Sequence, residues 1–94
     1  MKTILLEASG WQSPDDFYDA LLPKLGAPNW HGRNLDALDD SLYGGINEVE
    51  PPFKVVVCNS SILPSELRDF LSLVAEIFDN VRQECGQDVS FELK

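Results

Sequence analysis

Basic residues are scarce in this chain of 94 residues, which has 7 Lys and Arg against 16 Asp and Glu and a net charge of −9. Nucleic acids and anionic membranes are bound through Lys and Arg, so this balance argues against both as direct ligands. A field of this sign attracts basic proteins over some distance. An acidic composition can also serve solubility alone, and that alternative stays open at this point.

The chain has a single histidine, His31, and lacks the glycine-rich motifs of phosphate and dinucleotide sites. A Ser-His-Asp or Cys-His site would have to use His31, but Ser41 and Cys58, the nearest candidate nucleophiles, lie in no recognisable motif. His31 follows Trp30 and is expected as a surface side chain on an exposed loop. We therefore predict a protein that is not an enzyme and needs no cofactor.

Long apolar runs are also lacking. The run Thr3–Leu6 is too short for the apolar core of a signal peptide, and no segment approaches the roughly 20 apolar residues of a membrane span. The two cysteines, Cys58 and Cys85, have neither metal-ligand nor CxxC spacing. We expect a cytoplasmic protein with reduced thiols in or near the core, and no membrane partner.

Three segments have the pattern of strands. Thr3–Leu6 and Lys54–Cys58 are continuous apolar runs, which are typical of buried strands. The second run is expected to be the central strand and to be covered on both faces. Val89–Leu93 alternates strictly, which predicts an edge strand with one polar face.

Helix signals lie between these strands. Ser13-Pro14-Asp15-Asp16 combines an N-cap, a first-position proline and a capping-box acid, and Gly26 suits the end of that helix. Apolar residues at helical spacing predict a long third helix. The three helices are expected over residues 14–25, 34–44 and about 64–86, with a connecting loop over 46–53.

The resulting element order is β-α-α-β-α-β. Strands separated by helices pair in parallel through right-handed crossovers. We predict an α/β fold with a three-stranded parallel sheet in the order 1-2-3, packed with helices, as one domain over residues 1–94. In that arrangement Cys58 and Cys85 lie on the order of 15 Å apart, too far for a disulfide.

Residues 29–44, called the loop-helix below, form a glycine-bearing loop that runs into a short helix. One helix face is an apolar stripe at i, i+3, i+7 spacing: Leu35, Leu38 and Leu42. The other carries carboxylates at i, i+3, i+4 spacing: Asp36, Asp39 and Asp40. Like charges this close destabilise a helix slightly, so we expect them to serve a contact outside it.

Three interpretations of these carboxylates stay open: a solvated face, a face that binds a partner, and a divalent-cation site. A metal site is disfavoured because no second acidic cluster is evident to complete a coordination shell. A partner-binding face is favoured by the aromatic residues beside it, Trp30 and Tyr43, since aromatics next to charge are typical of interface hot spots.

Two residues are expected to fix where the carboxylates point. Asn34 suits the N-cap, where its side-chain oxygen accepts a backbone N–H. Gly32 suits a backbone angle or a close approach that a side chain would forbid. A carboxylate held by a rigid helix start loses less entropy on binding than one on a loose loop.

The run from Trp30 to Asp40 resembles the aromatic-aromatic-Gly-x-Asn-Leu-Asp-Ala-Leu-x-Asp signature of the barstar family, which are intracellular inhibitors of barnase-type ribonucleases. Seven residues fall in register with it: Gly32, Asn34, Leu35, Asp36, Ala37, Leu38 and Asp40. Element order and length match over essentially the whole chain, whereas similarity outside the signature is weak.

The resemblance implies a mechanism. Barstar-like proteins lay this loop and helix into the active-site cleft of a small basic ribonuclease, where carboxylates take the place of RNA phosphates. By position, Asp40 would be the central phosphate mimic, Asp36 its neighbour, and Trp30 a stacking ring. The backbone would complete the contact at Gly32, Asn34 and Leu35.

The sequence also departs from the family pattern. Asp39 stands where the family has a tryptophan, His31 replaces a tyrosine, and Gly45 falls where the family has another tryptophan. A helix acid that assists binding in the family aligns near Asn80. The surface is therefore less aromatic and more acidic, and Asp39 is the candidate for setting a different target.

Two functions follow. The first is a cytoplasmic inhibitor, monomeric when free, that blocks a basic extracellular-type ribonuclease of barnase-like or related kind. The expected contact residues are Trp30, His31, Gly32, Asn34, Leu35, Asp36, Asp39, Asp40, Tyr43 and Asn80. The alternative is a barstar-like module that binds another cationic protein without inhibiting a nuclease.

Overall fold

The chain, in a computed structural model that describes residues 2–28, 31–44 and 47–94, forms three strands, three α-helices and a short 3-10 helix over those residues. In chain order they are β1 (Lys2–Glu7), α1 (Pro14–Leu25), α2 (Leu35–Gly44), β2 (Phe53–Cys58), the 3-10 helix (Ser60–Ile62), α3 (Ser65–Cys85) and β3 (Val89–Leu93). Both strand pairs are parallel, in the order β1-β2-β3. The predicted fold class, element order and strand order are confirmed.

The sheet buries one face against the helices and leaves the other face open. Ile4 and Leu6 of β1 lie opposite Val55 and Val57 of β2, and all four side chains are in the core. Leu5 points the other way and is 57% exposed. Each strand therefore presents alternate residues to the helices, as a half-covered sheet requires.

Two expectations about burial are wrong for this reason. β1 is not a fully buried strand, because Leu5 faces solvent. β2 is central as predicted, but helices do not cover both of its faces. Val56 is nevertheless buried, because it lies on the open face between Leu5 and Glu92 of the flanking strands.

Strand β2 begins at Phe53, one residue before the expected start at Lys54, so the loop expected over 46–53 is one residue too long. Phe53 is 2% exposed and lies opposite Lys2 and Val89 in the sheet. Its ring packs edge-on against Phe78 of α3, with centroids 6.4 Å apart. Phe53 belongs to the strand because its ring is buried in the core, where a loop residue would not be expected.

Helix α1 begins and ends as the sequence predicts. The Asp16 carboxylate accepts hydrogen bonds from the backbone N–H groups of Gln12 and Ser13, at 2.7 and 3.3 Å. Gly26 ends the helix with φ of 66°, in the left-handed region that glycine tolerates best. Its carbonyl accepts the N–H of Glu48, which ties the segment after α2 to the end of α1.

Helix α3 is the long amphipathic helix expected from the spacing of its apolar residues. Its buried side chains are Leu67, Leu71, Val74, Phe78 and Val81. Gly86 follows it in the left-handed conformation. Both cysteines are free and partly buried, as predicted. Within the residues that the structure describes, no helix is long and apolar enough to cross a membrane.

Candidate functional site

Helix α2 presents its carboxylates outward because its apolar stripe is anchored in the core. Leu38 and Leu42 are buried, and Leu35 packs partly buried against the same core. Asp36 and Asp40, one helical turn apart, are exposed. The predicted division of α2 into an apolar and an acidic face is therefore confirmed.

The start of α2 is fixed by Asn34. Its Oδ1 accepts a hydrogen bond from the backbone N–H of Ala37 at 2.7 Å, which is the predicted N-cap contact. The backbone carbonyl of Asn34 accepts the N–H of Leu38 at 3.1 Å and so begins the helical ladder.

Gly32 is required by a close approach and not by an unusual backbone angle. A Cβ at this position would lie 2.9 Å from Asn34 Nδ2 and 3.2 Å from the Ala37 Cβ, while the backbone lies outside the left-handed region. Any larger residue would therefore push against the side chain that caps the helix. Of the two reasons expected for this glycine, the close approach is the correct one.

His31 is buried, at 8% exposure, so the expectation of a surface side chain on an exposed loop is wrong. Its Nδ1 lies 2.7 Å from the carbonyl oxygen of Gly32. The ring lines a cleft of about 280 Å³ behind the loop, together with Tyr18, Leu22 and Pro28. Its Nε2 is buried with no hydrogen-bond partner among the described residues. His31 thus packs the loop against α1.

Arg33 joins the same loop to α1 from the outside. Its Nη2 forms an ion pair with Asp19 Oδ1, and its Nη1 donates to the Asp15 carbonyl at 3.4 Å. The Arg33 and Asp19 side chains are about half exposed, so the pair adds little stability by itself. It does restrict where the loop can move relative to α1.

Within the described residues, no nearby cation balances the charge of the α2 carboxylates. No Lys, Arg or His side chain of that part of the chain lies within ion-pair distance of Asp36, Asp39 or Asp40. Partial burial raises the pKa of Asp39, and the neighbouring charges of Asp40, Glu84 and Asp36 raise it further. The face therefore holds negative charge at a free-energy cost that a cationic partner would relieve.

Helix α3 adds an acid that the sequence reasoning missed. Tyr43 is 47% exposed and its hydroxyl donates to Glu84 Oε2 at 3.2 Å. The Cys85 thiol and the Glu84 carboxylate beside this hydroxyl raise the pKa of Tyr43 to about 12. Asn80, the predicted contact on α3, is exposed one turn before Glu84. Glu84 lies four residues after Asn80 and therefore on the same face of α3, and this spacing could have identified it from the sequence.

The structure brings most of the predicted contact residues together along the loop and α2, whereas Trp30 and Gly45 lie outside the described residues. Over residues 2–28, 31–44 and 47–94 it shows no group of three or more His, Cys, Asp or Glu side chains that could hold a metal ion. Which residues touch a partner stays a prediction.

Comparison with known proteins gives two matches that cover most or all of the chain. A family model described as Barstar (barnase inhibitor) matches residues 1–94. A protein of Bacillus subtilis (strain 168), named "Putative ribonuclease inhibitor YrdF", is 30% identical over 84 residues, which are 89% of each chain.

Proposed function

The chain belongs to the barstar family, and on this premise we propose that it is an intracellular inhibitor of a small basic ribonuclease, whose active site it blocks. The loop-helix is the proposed contact surface. The observation that carries the proposal is the pair Asp36 and Asp40, exposed on one face of α2 and without ion-pair partners among the described residues.

In the proposed complex these carboxylates stand in for RNA phosphates. Active sites that bind RNA present Arg, Lys and His to the phosphate groups, and a guanidinium pairs with a carboxylate through two parallel hydrogen bonds. Asp40 is proposed as the central mimic and Asp36 as its neighbour. Glu84 and Tyr43 extend the surface towards α3, next to Asn80.

The rest of the loop-helix contributes rigidity to this surface. The Asn34 cap fixes the first turn of α2, and the Arg33–Asp19 pair together with the buried ring of His31 hold the loop on α1. A surface that is ordered before binding loses less conformational entropy when it binds. Gly32, Asn34 and Leu35 are proposed to touch the enzyme through their backbone, and Trp30 through its ring.

Asp39 is proposed to set which ribonuclease is bound. It takes the place of a tryptophan in the family signature and is partly buried between its acidic neighbours. A carboxylate at this point favours an enzyme that offers a cation there, and disfavours one that offers an apolar surface. The free protein is proposed to be a monomer.

Substitution of Asp40 tests the proposal. Against a barnase-type ribonuclease that the wild-type chain inhibits, Asp40→Ala is expected to raise the inhibition constant about 30-fold or more. The reason is that breaking a buried interfacial charge pair costs about 2–5 kcal/mol. Measurements on the barnase–barstar interface itself contribute to this range. Glu92→Ala, on the open sheet face, is the control, with little change expected. Equal inhibition by wild type and Asp40→Ala would remove Asp40 from its central role.

A second candidate function, binding of another cationic protein without nuclease inhibition, is favoured by Asp39 in place of the family tryptophan. Affinity capture at low salt distinguishes the two. Wild type and Asp36→Ala/Asp40→Ala are compared for what they retain from lysate and culture medium. Loss of a ribonuclease from the double variant supports inhibition, and loss of a different basic protein supports the second function.

A further inference from the structure

An open groove of about 470 Å³ runs beside the loop-helix, between α1, α2 and α3. Its apolar walls are formed by Pro14 and Tyr18 of α1, Leu35 of α2 and Phe70 of α3. Arg33, Asn34 and Asp36 complete its lining. The groove is therefore continuous with the proposed contact surface, but two of its walls belong to elements outside the loop-helix.

The walls are held by core packing and not by loop residues alone. The rings of Tyr18 and Phe70 pack edge-on with centroids 5.8 Å apart, and Phe70 also packs on Phe17 at 5.6 Å. Tyr18 is 2% exposed, and its hydroxyl is buried with no hydrogen-bond partner among the described residues. The groove is thus preformed, because core side chains hold its walls from beneath.

The charge around the groove is mostly negative. Asp36 lies at one side of it, and Asp15 and Asp19 lie on the exposed surface of α1. The guanidinium of Arg33 is already held by Asp19 and by the Asp15 carbonyl. The carboxylates of Asp15 and Asp36 have no ion-pair partner among the described residues, so they are available to a cation from outside.

We propose that this groove is a second contact region for the proposed ribonuclease partner and that it binds one arginine side chain of that protein. A planar guanidinium stacks on an aromatic wall such as the partly exposed ring of Phe70 and can donate to the Asp36 carboxylate at the same time. The proposal rests on the proposed function, because it assigns the groove to the same partner.

Other occupants fit these residues less well. An apolar side chain would fill the walls but would desolvate Asp36 without giving it a partner. An acidic side chain would meet the Asp36 carboxylate in the lining, and the Arg33 guanidinium there is already paired with Asp19. A lysine ammonium is a compact, strongly hydrated charge that gains less from aromatic walls than a guanidinium does.

The groove can be tested without knowing the ribonuclease, with N-acetyl-L-arginine amide as the probe and N-acetyl-L-leucine amide as its neutral control. Both are titrated into the whole protein while backbone amide chemical shifts are recorded by NMR. Saturable shifts at Leu35, Phe70 and Tyr18 with the arginine probe, and weaker shifts with the leucine probe, are expected. Equal shifts with both probes, or arginine-induced shifts elsewhere only, would overturn the proposal.

Two variants that each remove one negative charge measure how much a carboxylate beside the groove contributes to the affinity for the arginine probe. Asp15→Asn is expected to weaken binding of the arginine probe roughly two- to fivefold, the size of an exposed ion pair. Glu92→Gln removes the same charge from the open sheet face and is expected to leave the probe affinity unchanged. Equal weakening in both variants would mean that the probe senses only net charge, and would contradict an arginine site in the groove.

Inhibition assays then connect the groove to the partner. With a barnase-type ribonuclease, Asp15→Asn is expected to raise the inhibition constant more than Glu92→Gln does. An increase no larger than in Glu92→Gln would overturn the assignment of the groove to this interface. If the wild type inhibits no ribonuclease, the proposed function fails, while the arginine titration still decides whether the groove binds a guanidinium.

Discussion

Tyr18 and His31 are buried behind the loop with polar atoms that lack partners among the described residues. Sequence patterns place aromatic residues in the core but do not show whether a hydroxyl or imidazole nitrogen finds a partner there, because that depends on neighbours from other elements. The environment of Asp39 and Glu84 likewise depends on contacts between different elements. Their proximity arises from the packing of α2 on α3, which no local pattern encodes.

Replacement of Tyr18 by Phe is expected to stabilise the protein by about 1 kcal/mol, because an unpaired buried hydroxyl costs more than it contributes. Tyr43→Phe is the control, since the Tyr43 hydroxyl is exposed to solvent and donates to Glu84. Urea unfolding of both variants measures the change. A clear loss of stability in Tyr18→Phe would show that the hydroxyl has a partner after all.

The same variant changes the alkaline limit of stability. Burial and the Asp15 charge raise the pKa of Tyr18 to about 12, above its ordinary value of 10. The folded state therefore holds this proton more tightly than the unfolded state, so stability is full below about pH 10 and falls towards pH 12. Tyr18→Phe should make that fall shallower.

Asp39→Asn is expected to stabilise the free protein near pH 7 by roughly 0.5 kcal/mol, the size of like-charge repulsion within a helix. The raised pKa of Asp39 means that its charged form costs stability at high pH, whereas the cost vanishes below its ordinary value of 3.8. The gain should therefore disappear at low pH. Urea unfolding at pH 7 and pH 3, with Asp69→Asn as the control, measures this. A gain that persists at pH 3 would point to packing and not to charge.

At the scale of elements, the start of α2 depends on two neighbouring residues. Asn34→Ala should cost about 1 kcal/mol of stability through loss of the cap. Gly32→Ala should have a similar effect, because its Cβ displaces the Asn34 side chain. Thermal unfolding gives the stabilities, and additive losses in the Gly32→Ala/Asn34→Ala double variant would contradict a shared cause.

Helix ends were predictable from sequence because their signals are local. Ser13, Asp16, Gly26 and Asn34 act on backbone groups a few residues away, so spacing alone identifies them. Burial of the strands was less predictable. Leu5 and Val56 lie opposite each other on the open sheet face, yet one is exposed and the other buried, because only Val56 has a strand on each side.

At the scale of the whole molecule, the fold separates two surfaces. The helices cover one face of the sheet and carry the acidic surface of α2 and α3, whereas the opposite face of the sheet stays open. A net charge of −9 supports long-range attraction of a basic partner. The carboxylates of α2, which have no ion-pair partner among the described residues, are proposed to supply the local contact. Composition predicts the first effect, but the second depends on which carboxylates the fold leaves without partners.

We propose that the acidic face of α2 occupies the place of RNA in a ribonuclease active site. Competition with a mononucleotide bound in that active site tests it most directly. This chain is titrated by calorimetry into a ribonuclease that it inhibits, at increasing mononucleotide concentration. The apparent dissociation constant is expected to rise linearly with the mononucleotide concentration, without levelling off when the nucleotide saturates the enzyme. A dissociation constant that stays unchanged at saturating mononucleotide would show that both bind at once, and would contradict the claim.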